Sequence, residues 1–164
     1  MCDIIKKAVN INTNEIVAIQ LTLKKIQKRL FGFNYETHFW FELIEQTNNI
    51  ENSYNELCKK YSFDRKKLDI ENKVEFKNFK NIVSECINYN VDNESVLKLT
   101  NSEKTELKDF QNKLWNLMEQ KILGRHFEIY ILPEMYVGIF WSFNFLILNR
   151  ESNRLYMFQG ISSD

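Results

Sequence analysis

Apolar residues in this chain repeat every three or four positions as far as Leu117 and every second position beyond Gly124, and this change of period sets the fold class. A helix seam needs a period of about 3.6 and a strand face a period of two, so the reading is helices first and an antiparallel sheet last. The expected fold is α+β, a single domain over residues 1–164 in which a mainly helical part, about 1–124, packs on a C-terminal three-stranded antiparallel meander, about 125–164.

Within the helical part, Ile16, Ile19, Leu23, Ile26 and Leu30 form one stripe, with Lys24, Lys25, Lys28 and Arg29 off it. Asn12 and Glu15 suit a capping box, and Gly32 suits the stop. Val17, Ile19, Leu21 and Leu23 also alternate, so a hairpin between 4–11 and 16–23 is the rival reading; the helix is preferred because its stripe continues to Leu30. From Phe33 to Thr47 both periods are present. Phe33, Tyr35, Thr37, Phe39 and Phe41 alternate, whereas Glu36, Trp40, Leu43, Ile44 and Thr47 share a helical face, and the Glu42-Leu-Ile-Glu-Gln continuation favours helix. A short helix is expected around Tyr54, Leu57 and Cys58. Another is expected where Phe76, Phe79, Val83 and Cys86 make a stripe. The strongest is the one capped by Thr100 and Glu103, with Leu107, Phe110, Leu114 and Leu117 as its seam and Gly124 as its end.

Beyond Gly124, Phe127, Ile129 and Ile131 alternate with His126, Glu128 and Tyr130, a strand with one wet face that Pro133 ends. Gly138 opens a second strand, apolar on both faces through Leu148 and therefore central. Residues 149–154 read as a hairpin loop with Asn153 at positive φ, and Leu155, Tyr156, Met157 and Phe158 return as the third strand.

Charge and thiols narrow the function classes. Lys plus Arg and Asp plus Glu both number 22, so no global field draws the chain to nucleic acid or an acidic membrane. The N-terminus lacks a basic segment followed by an apolar one, and Cys2, Cys58 and Cys86 are odd in number and far apart; a cytoplasmic protein with free thiols is expected. The run from Val137 to Leu148 is too short to span a bilayer as a helix.

Catalytic motifs are missing. The four glycines are isolated, so no phosphate loop can form. His126 and Glu128 have the spacing of a zinc deaminase without its cysteine pair, and His38 with Glu42 reads as structural. No catalytic residue, cofactor or metal ligand is assigned. The lysine pairs and the aromatics of the sheet could serve a nuclease or a nucleic-acid binder, but solvated helix faces and a buried core account for them better.

The segment Gly138-Ile-Phe-Trp-Ser-Phe-Asn-Phe-Leu-Ile-Leu-Asn, its polar turn, and Tyr156-Met-Phe-Gln-Gly-Ile-Ser-Ser-Asp164 resemble the closing hairpin of small bacterial immunity proteins from contact-dependent inhibition and related polymorphic toxin systems. The resemblance covers the last quarter of the chain and implies a cytosolic, non-catalytic inhibitor that binds a cognate toxin protein one to one. It carries over no binding residue by position. The residues read as partner anchors are Glu128, Tyr130, Asn144, Arg150 and Arg154, on or beside the meander, because arginine forks and tyrosine rings supply much of the energy of protein interfaces. The alternative is a small metal-independent nuclease or nucleic-acid-binding protein using His38 or His126. The partner's identity and the oligomeric state are left open.

Overall fold

The structure is a computed structural model that describes residues 14–132 and 140–163. Helix α1, Asn14–Arg29, buries Ile16, Ile19, Leu23 and Ile26, the stripe its spacing specifies. This settles the helix against the hairpin for residues 16–23, while the proposed cap Asn12 and residues 4–11 lie outside the described residues.

The chain then departs from the expected helix. Glu36–Gln46 is a strand, β1, paired antiparallel along its length with the last strand. Thr37, Phe41 and Leu43 are buried while Glu36, Glu45 and Gln46 are exposed, so period two prevails over the helical stripe. The cause is tertiary: without β1 the last strand, buried on both faces, would present its backbone groups at a sheet edge.

Helix α2, Ile50–Lys60, is capped by Asn49, whose side chain accepts from the backbone N–H of Asn52. The short helix α3, Arg65–Lys67, runs into a π-helical turn, Leu68–Asn72, and the two-residue strand β2, Lys73–Val74. Helix α4, Phe76–Asn88, buries Phe79, Val83 and Ile87. Helix α5, Asn101–Leu117, carries the full capping box: the Glu103 backbone N–H donates to Thr100 Oγ1 at 3.3 Å and the Thr100 backbone N–H donates to Glu103 Oε2 at 2.9 Å. Its seam is shifted from the expected one, with Leu107, Leu114 and Trp115 buried and Phe110 and Leu117 packed at the flank. A π-helical turn, Met118–Leu123, extends it to Gly124, whose φ of 64° ends the helix as expected.

Strands β3, Phe127–Ile131, β4, Trp141–Asn149, and β5, Arg154–Ser163, form the predicted meander, and Asn153 in the β4–β5 turn has φ 52°. The beginning proposed for β4 at Gly138, and Pro133, lie outside the described residues. The sheet is larger than a meander: it has five antiparallel strands in the order β1-β5-β4-β3-β2, so β4 is central as its two apolar faces require.

Helices cover both faces. Phe41, Phe143, Phe145, Ile147, Tyr156 and Phe158 meet α1, α4 and α5 on one side. Tyr130, Leu132, Leu146, Leu148 and Leu155 meet α2 and Leu68 on the other. On the outer face of β3, Tyr130 is therefore buried under α2 where a wet face was expected, while Glu128 stays part-exposed and His126 exposed. Among the described residues no helix is long and apolar enough to cross a membrane.

Candidate functional site

Three of the five anchors expected from the sequence do come together, but as an internal clamp. Arg150, just past β4, donates from Nε to Glu128 Oε2 at 2.5 Å and also pairs with Glu51 of α2. Lys73 Nζ reaches Glu128 Oε1 at 2.6 Å, and Arg65 donates to Glu51 at 2.6 Å and to Asp69 at 3.2 Å. The Tyr54 hydroxyl donates to Asp69 at 2.9 Å while its ring stacks on Tyr130, centroids 5.4 Å apart. Hydrogen bonds from Arg150 and Arg65 hold the Glu51 carboxyl below the usual carboxylate range. Burial pushes the Glu128 carboxyl up, and the bonds and charges of Lys73 and Arg150 outweigh it to hold it low. Burial, reinforced by Asp69, raises the Tyr54 hydroxyl, and burial with nearby Glu128 raises Tyr130.

Such a network fastens α2 to the sheet, and its arginine forks are already occupied. Tyr130 is 2% exposed and Asn144 6%, with Asn144 Oδ1 accepting from Gln159 Nε2 at 3.2 Å, so neither can anchor a partner. Tyr130 packs on Tyr54 of α2, and Asn144 is held within the sheet by Gln159. Arg154 opens β5 opposite Asn149 and Gln46, half-buried. Of the two histidines, His38 lies on β1, half-exposed and stacked on Trp40, with its Nε2 3.5 Å from Glu36; because β1 is a strand, His38 and Glu42 do not stand one helical turn apart. His126 precedes β3, where its carbonyl accepts from the Arg150 backbone N–H at 2.8 Å. Among the described residues no three His, Cys, Asp or Glu side chains are grouped to hold a metal ion.

The surface that is open lies elsewhere, at the turn between α1 and β1. Leu30 and Tyr35 are both buried, and the Gly32 backbone N–H donates to the Tyr35 carbonyl at 3.0 Å, which closes the chain into a tight loop. The Tyr35 hydroxyl accepts from Trp141 Nε1 at 3.0 Å, and the carbonyl of Val96 presses on Gly32 so closely that a β-carbon there would meet it at 2.1 Å. With both ends pinned, the residues between must face water: Phe31 is 68% exposed and Phe33 81%. Exposed Phe140 packs on the buried Tyr35 ring, centroids 5.7 Å apart, and exposed Tyr89 lies 6.3 Å from Phe140.

Two recesses flank Phe31. One, about 330 Å³, runs between α1 and β1 and is lined by Lys24, Gln27, Lys28 and His38. The other, about 400 Å³, lies between the turn and residues 94–99, and Lys28 borders both. Exposed phenylalanines on a fixed loop beside cations and two hollows have the make-up of a protein-docking surface. In the sequence Phe33 could be taken as the first residue of an alternating run; only the burial of Leu30 and Tyr35 turns it outward.

No protein-family model matches the sequence, and no curated protein matches it. Its fold is shared with citrus MAF1. One crystal form of that protein superimposes with a TM-score of 0.54 at 15% identity, over 87% of this chain and 98% of the citrus chain. A second crystal form gives 0.51 at 14% identity over the same shares, 87% and 98%. At this identity the likeness is one of fold.

Proposed function

We propose that this chain is a non-catalytic, protein-binding protein of MAF1-like fold that captures its partner with the Phe31–Phe33 turn. The observation that carries the reading is the pair of phenylalanines held in water by a loop whose two ends are buried. Each exposed ring forgoes roughly 2 kcal/mol of burial, a cost that partner binding recovers. The likeness to citrus MAF1 spans nearly the whole of that chain, so it is a likeness of the fold rather than of one hairpin. The narrower immunity reading, with a toxin domain as partner, falls within the same class. The strands carrying that resemblance, β4 and β5, are buried in the centre of the sheet, so such a partner would also have to dock elsewhere.

The nucleic-acid alternative draws on His38 beside Lys24 and Lys28, but the sheet aromatics Phe143, Phe145, Tyr156 and Phe158 are buried and unavailable for stacking bases. The experiment compares the immobilised chain with its Phe31→Ser/Phe33→Ser variant in an extract of the source cells, quantifying retained proteins by mass spectrometry. A defined set retained by the native chain and depleted tenfold or more on the variant, at unchanged circular dichroism, is expected, and His38→Ala/His126→Ala should retain that set. Equal retention by both, or cleavage of RNA or DNA by the chain alone that the histidine variant loses, overturns the proposal.

A further inference from the structure

On the helical side of the molecule, α4 and α5 leave between them a groove of about 410 Å³. Its walls follow from helical spacing. Lys80, Ser84 and Asn88 recur every four residues along α4, and Lys104, Lys108, Gln111 and Trp115 every three or four along α5, so two polar stripes face one another. Across the gap Gln111 Nε2 donates to Asn88 Oδ1 at 3.0 Å, and Asn88 Nδ2 also donates to the Ser84 carbonyl at 2.8 Å. Gln111 is only 8% exposed, so this amide bridge is a fixed part of the floor, alongside buried Leu107 and Trp115.

The lining contains three lysines and no carboxylate, in a chain whose formal net charge is zero. Two of these lysines pair with acids outside the lining. Lys80 pairs with Glu119 at 3.8 Å and lies 5.8 Å above the Trp115 ring, and Lys104 pairs with Asp92 at 2.9 Å, while Lys108 is the exposed cation between them. Cations around part-exposed Val91, over the fixed amide bridge, complement one kind of ligand: a polypeptide segment rich in carboxylates that carries an apolar side chain.

We propose that the α4–α5 groove is a second docking site, taking an acidic segment of a partner protein, with carboxylates on Lys80, Lys104 and Lys108 and an apolar side chain against part-exposed Val91. Nucleic acid suits it less well. The Trp115 ring is buried and packed edge-on against Phe76 and Phe79, so no aromatic face is free for a base, and Glu119 and Asp92 would repel a phosphate backbone laid on Lys80 and Lys104.

The test is fluorescence anisotropy of the full chain with a short fluorescein-labelled peptide of Glu-Glu-Leu repeats, alongside a Lys-Lys-Leu control and single-stranded DNA. Saturable binding of the acidic peptide, weakened by salt and reduced tenfold or more in Lys104→Glu/Lys108→Glu and measurably in Lys108→Ala, is expected. The Phe31→Ser/Phe33→Ser variant should bind it like the native chain, which separates this site from the turn. Absence of saturable binding, equal binding by the charge-reversed variant at an unchanged melting midpoint, or tighter binding of DNA through the same lysines overturns it.

Discussion

Gly160 of β5 lies across from Phe143 of β4, and a β-carbon added to it would come within 2.4 Å of the Phe143 ring. On its other side Gly160 pairs with Phe39 of β1, and the rings of Phe39 and Phe143 sit 6.2 Å apart over the bare backbone. The glycine is required by this close approach rather than by its backbone angles. Phe143 cannot yield, because Trp141 stacks on one side at 6.0 Å and Phe158 meets it edge-on at 5.0 Å. Gly160→Ala should therefore lower stability by about 1–3 kcal/mol, the usual cost of overpacking a filled core, read from denaturant unfolding. An unchanged midpoint would show that the aromatic stack is loose.

Much of this fold was legible before any coordinates, and the part that was not has a common cause. The stripes of α1, α4 and α5 and the alternation of β3, β4 and β5 are local patterns, and each became the element it indicates. β1 departs from the helix favoured by its sequence because the residues between Phe33 and Thr47 satisfy both periods, and the arbiter is β5, more than a hundred positions away along the chain. β2 is two residues long and has no periodic signal at all. Tyr130 reads as part of a wet strand face because the alternation of β3 carries no sign of α2, whose Tyr54 ring covers it. Lys80, Lys104 and Lys108 are separated in sequence and become neighbours only when α4 and α5 are set side by side. What sequence period cannot supply, in each case, is the identity of the neighbour across space.

The core can be graded by substitution along α5. Leu114 is fully buried among the helices and the sheet, whereas Phe110 lies at the flank with Lys25 Nζ 5.5 Å from its ring. Leu114→Ala should cost about 2–5 kcal/mol, the range for a buried leucine whose cavity cannot collapse. Phe110→Ala should cost less, because water already reaches part of that ring. Chemical denaturation of both variants checks the order, and a larger loss at Phe110 would contradict the seam described here.

The clamp of α2 onto the sheet gives the molecule a defined acid response. Glu51 is held low by Arg150 and Arg65, and Glu128 is held low by Lys73 and Arg150 against the upward push of burial. In the unfolded chain both carboxyls return to about 4.3, so the unfolded state binds more protons as the pH falls through that range. The stabilisation is thus complete above the unfolded value and is lost as pH drops toward the folded values. Glu42, raised by burial, has the opposite sign: its contribution is present in acid and is lost as pH rises. The melting midpoint should be flat near neutrality and fall below about pH 5. Arg150→Met removes the fork shared by Glu51 and Glu128, whose side chain is only 18% exposed, and leaves Lys73 as the remaining cation on Glu128. With one partner retained and the pair partly screened by solvent, the loss at neutral pH should be about 1–2 kcal/mol. The same variant should show a shallower acid slope, since both carboxyls then titrate closer to their unfolded values. Native and variant proteins with the same slope between pH 6 and pH 3 would mean that the clamp does not govern the acid transition.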